Sequence, residues 1–246
     1  MRRFGWQTLL GAALVVLSVI FYLLHYLIFR DPHHIFTFLV GDVAFVFIEV
    51  LMVTLIIHRL LGEREKQARL EKLNMVIGTF FSEVGTRLLG GLSQLDPKLD
   101  RLRGELVVGE GWSERQFSKR GQWLRDYDYE VEPERADLKG LKHLLVARRD
   151  FLLRLLENPN LLEHESFTEL LRAVFHLMEE LDARRSLEEL PTTDYAHLAG
   201  DMERVYVLLV REWLEYMQYL KSSYPYLFSL ALRTNPFDAD ASPVVG

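Results

Sequence analysis

This chain of 246 residues contains no cysteine, which removes disulfides, thiol nucleophiles and thiolate-held zinc or iron–sulfur centres from consideration. Nor is there an excess of basic charge. The 29 Lys and Arg against 35 Asp and Glu give a net charge of -6, so no basic footprint for nucleic acid is present and no nucleic-acid partner is expected. Also missing are a Walker A sequence, G-x-G-x-x-G, G-x-S-x-G, H-E-x-x-H and a kinase signature. No enzymatic activity and no cofactor are expected on these grounds.

What the chain does have is hydrophobicity gathered at one end. Its mean hydropathy is only +0.03, yet nearly all of the continuous apolar sequence precedes residue 61. Thr8 to Phe29, TLLGAALVVLSVIFYLLHYLIF, and Ile35 to Ile57, IFTFLVGDVAFVFIEVLMVTLII, each reach the roughly 20 residues that cross a hydrocarbon layer of about 30 Å. Only Arg30 to Ile35 joins them, with Pro32 suited to a tight turn. A signal peptide is not expected, because the first run exceeds an h-region of about 7–15 residues, no A-x-A-like site follows and a second span comes at once. Basic residues flank the outer ends: Arg2 and Arg3 precede the first span, and Arg59, Arg64, Lys66, Arg69 and Lys72 follow the second, against Arg30 alone between them. The positive-inside rule then puts both termini in the cytoplasm, for a multi-pass protein of the inner (cytoplasmic) membrane.

Asp42 and Glu49 fall inside the second span. An acid at the centre of a membrane helix costs about 2.5–3.5 kcal/mol on insertion scales, so both are expected to face protein or water rather than lipid. In an antiparallel hairpin centred between His33 and His34, His25 lies at the depth of Asp42, and Ser18 at that of Glu49. Ser18 and His25 are seven apart, as are Asp42 and Glu49, so each pair shares a helix face; Tyr22 joins the first stripe. Ser18, Tyr22, His25, Asp42 and Glu49 form the candidate site, an intramembrane polar seam. Two uses are open: hydrogen-bonded helix contact, or a proton or cation path, either within the hairpin or through a ring of subunits lined by Glu49. His33 and His34 in the link read either as interfacial residues or as a metal-binding or pH-sensing pair.

The remainder is charged and helical in pattern. Residues 62–91 read as a juxtamembrane stalk, with Glu63 and Lys66, then Glu65 and Arg69, at helical spacing, followed by a stripe of Leu73, Ile77, Phe80, Phe81, Val84 and Leu88 that ends at Gly90 and Gly91. The stripe packs either on the rest of the domain or on a second subunit. Residues 92–135 form a connector of irregular and short-helix segments, in which Asp96-Pro97 suits a helix start and Ser113-x-x-Gln116 a capping box. Within it, Arg125 to Arg135, RDYDYEVEPER, reads as a loop with short extended pieces or as a docking surface. Residues 136–233 read as an antiparallel bundle: one helix from Leu138 to Leu156, one capped by Ser166-x-x-Glu169, one from Pro191-Thr192-Thr193 to about Ser222, and a final apolar turn. Residues 234–246 read as a tail.

Two helical patterns hold potential metal ligands, His176 with Glu179 and Glu180, and Asp194 with His197 and Asp201. Neither shows the repeated Glu-x-x-His order of a di-iron bundle, and acid-rich helices carry such neighbours on solvated faces, so no metal site is assigned from sequence. The segments HYLIFRDPHHIFTFLVGDVAFVFIEVLMVTLIIHRLL, EKLNMVIGTFFSEVG and YPYLFSLALRTNPF together resemble uncharacterised bacterial or archaeal two-span membrane proteins. That resemblance implies the architecture and no activity. The expected fold is therefore all-α, an N-terminal transmembrane hairpin (1–61) continuing into a cytoplasmic helical bundle. The expected function is to anchor that domain, in a homo-oligomer in the lipid bilayer, for binding a cytoplasmic protein partner or relaying a signal. The alternative is a cation- or proton-conducting assembly that uses Asp42 and Glu49.

Overall fold

A computed structural model describes residues 6–159, 161 and 164–244. The side chains of residues 63–69 and of His34, and all of Arg2 and Arg3, lie outside what is described, and with them the expected pairs of Glu63 with Lys66 and of Glu65 with Arg69. The chain is all-helical, with no strand among the described residues, and divides into two compact units at Lys66 and Gln67.

The first unit holds α1 (Trp6–Phe29) and the larger part of α2 (Pro32–Phe80). Both are long and apolar enough to cross a membrane, over Leu9–Phe29 and Ile35–Gly62. Local rules build the link. Arg30 takes a left-handed conformation (φ 49°), and its N–H closes on the Tyr26 carbonyl at 2.9 Å. Asp31 then caps α2 by accepting the His33 N–H at 3.0 Å, and Pro32 occupies the first helical position, where its missing N–H leaves nothing unsatisfied. Apart from half-buried His25 and Ile35, every described side chain of α1, and of α2 through Gly62, is exposed.

In the second unit, the stripe of Leu73, Ile77, Phe80, Phe81, Val84 and Leu88 is buried throughout. A π-helical turn, Phe81–Gly85, joins α2 to α3 (Thr86–Ser93), and the residue it adds turns both Phe80 and Phe81 inward. Phe80 meets Phe167 edge-on at 5.4 Å, and Phe81 stacks on Tyr216 at 5.1 Å. Gly85 is required here, because a Cβ would lie 2.7 Å from the Phe81 ring and 2.8 Å from that of Phe80. The helix does not stop at Gly90 and Gly91 but continues to Ser93. Buried Leu88, Leu89 and Leu92 outweigh the roughly 1 kcal/mol that each glycine costs a helix.

The connector contains α4 (Leu99–Leu106) and α5 (Glu114–Arg125), and the expected Ser113–Gln116 capping box opens α5. Asp96 does not cap a helix as expected. It is buried, accepting the Lys98 N–H at 2.7 Å and the Tyr127 hydroxyl at 3.0 Å. Residues 127–131 lie outside any helix, and their burial alternates: Tyr127, Tyr129 and Val131 are buried, while Asp128 and Glu130 are exposed and meet Lys98. The tyrosines belong to the core and are not available as a docking surface.

The expected helix from Leu138 to Leu156 is two, α6 (Leu138–Val146) and α7 (Arg149–Leu156), broken at Ala147-Arg148 so that each packs on α8 (Glu165–Ala183). Ser166 does not cap α8. His164 does, through Nδ1, which accepts the Phe167 N–H at 3.3 Å. α9 (Thr192–Ser223) starts and ends within a residue of its expected bounds, and α10 (Pro225–Arg233) follows. Phe237, expected in the tail, is fully buried against Trp213 at 5.1 Å, and Asn235 donates to the Leu106 carbonyl at 3.0 Å.

Candidate functional site

Ser18, Tyr22 and His25 share one face of α1. With residues that include Phe21, Ile28 and Phe38 they line a concavity of about 530 Å³. Asp42 and Glu49 are not among its lining residues, and both are exposed on α2. The concavity therefore takes in the α1 half of the expected seam and leaves out the α2 half. One chain supplies no protein cover for the two acids.

A second constellation forms where sequence alone keeps two motifs apart. α8 and α9 run antiparallel, as their contacts show: Arg184 meets Asp194, Glu180 meets His197, and His176 meets Asp201. His197 Nε2 lies 3.4 Å from Glu180 Oε2 and 3.5 Å from Asp201 Oδ2. His176 Nε2 lies 3.7 Å from Asp201 Oδ2 and 3.9 Å from Glu180 Oε1. Asp201 is only 5% exposed. Its Oδ1 accepts from Arg204 at 3.1 Å, and its buried Oδ2 has no hydrogen-bond donor.

Arg184 organises the acids beside this cluster. It grips Asp194 through Nε and Nη2, at 2.8 and 2.6 Å, and donates from Nη1 to Glu180 Oε2 at 2.8 Å. These charge-assisted bonds hold both carboxyls below the usual carboxylate range. Of the six potential ligands in the sequence, His176, Glu180, His197 and Asp201 converge. Asp194 is taken by Arg184, and Glu179 faces solvent.

Two acids at core positions escape a reading based on charge alone. Asp201 stands three residues after Leu198 and four before Val205, and Glu212 stands seven after Val205 and three after Leu209. Their spacing from apolar neighbours is the signal that they point inward. Glu212 is 3% exposed and borders a cavity of about 570 Å³ with Ser166 and Arg211. Burial pushes its carboxyl up to about 7, with the Ser166 hydroxyl opposing the rise. Asp96 is likewise raised by burial, against the pull of the Lys98 N–H and the Tyr127 hydroxyl.

A pair of membrane-length apolar helices followed by a helical bundle with its own core defines a two-part, all-α class of protein. The sequence matches the family profile described as "MJ1433, N-terminal helical domain" over residues 2–61, and that described as "Uncharacterized protein MJ1433, C-terminal helical domain" over residues 69–233. "Uncharacterized protein MJ1433" of Methanocaldococcus jannaschii is 46% identical over 233 residues, which cover 95% of this chain and 94% of that protein. The chain belongs to the MJ1433 family. No solved structure matches it.

Proposed function

We propose that the chain is an integral membrane protein in which α1 and α2 insert as a two-span anchor, with both termini cytoplasmic, and self-associate. The bundle of α3–α10 then acts as a cytoplasmic domain that binds a protein partner or relays a signal. One observation carries this reading: the apolar helices expose almost every described side chain, whereas the second unit buries a continuous core of its own. Two spans of 21 and 28 residues, rich in exposed Leu, Ile, Val and Phe, need a cover that this chain does not supply, and a bilayer supplies it. Asp42 and Glu49 are the exception within that surface. Lipid covers them at a cost and a neighbouring copy does not, which favours an oligomer.

The test is the mass of the purified protein in nanodiscs, wild type beside Glu49→Gln. An assembly whose size or stability changes on substitution supports the proposal. A monomer indifferent to the change, or a chain recovered in the soluble fraction, refutes it. The conducting alternative draws on the same exposed acids and is separated by flux: Glu49→Gln abolishes ion movement into liposomes if Glu49 lines a path, and leaves it unchanged if the acid only joins subunits.

A further inference from the structure

The cluster between α8 and α9 has the dimensions of a cation site. We propose that Glu180, His197 and Asp201, with His176 beside them, bind a divalent transition-metal ion of the zinc type, a site independent of the membrane reading above. Four donor atoms bound to one ion at about 2.1 Å in a tetrahedron stand about 3.4 Å from one another. His197 Nε2 stands at this spacing, 3.4 Å from Glu180 Oε2 and 3.5 Å from Asp201 Oδ2, while His176 Nε2 lies farther out, 3.7 Å from Asp201 Oδ2 and 3.9 Å from the other Glu180 oxygen. These separations exceed the 2.7–3.2 Å or so of a direct N–H···O bond, so the groups converge on a common point instead of bonding one another.

The buried carboxylate supplies the independent observation. Asp201 is turned into the bundle, Arg204 satisfies its Oδ1, and Oδ2 is left without a donor while both imidazoles stand over it. A carboxylate oxygen removed from water requires a proton donor or a cation. Two protonated histidines could in principle serve, but the separations are too long for the bonds they would form. A metal ion held among Glu180, His197 and Asp201 satisfies Oδ2 and the His197 ring nitrogen together, with His176 next to it.

The surrounding charges fit that role. Each carboxylate ligand has its orientation set by an arginine, Glu180 by Arg184 and Asp201 by Arg204, as metal-ligating groups are held by outer hydrogen bonds. Asp194 in turn fixes Arg184 with two bonds. Glu180, His197 and Asp201 form the tightest group, with donor atoms all within 4.8 Å. His176 stands beside this group, 3.7 Å from Asp201 Oδ2. Both imidazoles are about half-exposed, which gives the ion a path from solvent. Imidazole and carboxylate without thiolate select for zinc, iron, nickel or manganese over copper(I).

The experiment uses the full-length protein in detergent, stripped by a chelator and titrated with Zn²⁺ by calorimetry, with Co²⁺ absorption reporting coordination geometry. One equivalent of Zn²⁺ per chain at micromolar affinity or tighter is expected, with an intense visible Co²⁺ band from a tetrahedral site. His197→Ala and His176→Ala are chosen because their side chains are half-exposed and leave the core intact. His197→Ala is expected to weaken binding at least tenfold while helical content stays the same. His33→Ala is expected to leave binding unchanged. Affinity that survives in the His176→Ala, His197→Ala double variant, affinity lost with His33→Ala instead, or no uptake by the wild type overturns the proposal.

Discussion

Replacing Glu212 by Gln should stabilise the protein, and only on the alkaline side. Glu212 is 3% exposed in the middle of α9, and burial raises its carboxyl from the ordinary 4.5 to about 7. At about 1.4 kcal/mol per pH unit, ionising it costs about 3 kcal/mol more in the folded chain than in the unfolded one. Between pH 4.5 and about 7 the folded chain holds a proton that the unfolded chain has released. Stability therefore falls as pH rises through that window; the loss is absent below it and complete above it. The amide keeps the shape of the protonated acid and does not titrate. The variant should lie within about 1 kcal/mol of wild type at pH 5 and exceed it by up to about 3 kcal/mol at pH 8, or about 6–12 °C in Tm for a unit of this size. Thermal unfolding of the full chain in detergent, followed by tryptophan fluorescence at pH 5, 6, 7 and 8, measures the gap. Trp213, the next residue, is buried in the same core and serves as the reporter. A gap that does not change with pH refutes the reasoning, since a packing effect has no reason to follow the titration of one carboxyl.

The helices are legible in the sequence wherever burial has a period. Leu73 to Leu88, Phe167 to Leu181 and Leu198 to Met217 each repeat at helical spacing, and each repeat faces the core. Boundaries are legible only where a backbone signal marks them. Pro191 and Pro225 do so, whereas the break at Ala147-Arg148 has neither glycine nor proline and follows from two short helices seeking the same neighbour. His164 as a cap is hidden for a related reason: imidazole is a poor predictor of helix starts, and Ser166 two residues on is a better one that the fold does not use. Of the expected seam, the grouping of Ser18, Tyr22 and His25 follows from helix geometry. Its pairing with Asp42 and Glu49 depends on how separate helices meet, which no local pattern encodes. The same holds for His176, Glu180, His197 and Asp201. Each motif alone is an ordinary acidic helix face, and only the register of α8 against α9 joins them.

Two further substitutions test how the second unit is held. Gly85→Ala forces a methyl into the Phe80 and Phe81 rings, whose nearest atoms lie at 2.8 and 2.7 Å, and should destabilise the unit by about 1–3 kcal/mol as overpacking does; an unchanged denaturation midpoint would show that the rings yield freely. The C-terminal segment permits a sharper separation. Phe237 is fully buried against Trp213, and Asn235 ties the chain to the Leu106 carbonyl, whereas residues 239–244 are exposed or nearly so. If Phe237 is the anchor, Phe237→Ala should cost about 3–5 kcal/mol, as truncating a core phenylalanine does, while deletion after Asp238 should cost less than about 0.5 kcal/mol. Both are read from thermal unfolding of the full chain. Equal losses from the two changes would mean that the exposed residues hold the segment in place, and equal indifference would mean that Trp213 finds its cover from α9 and α10 alone.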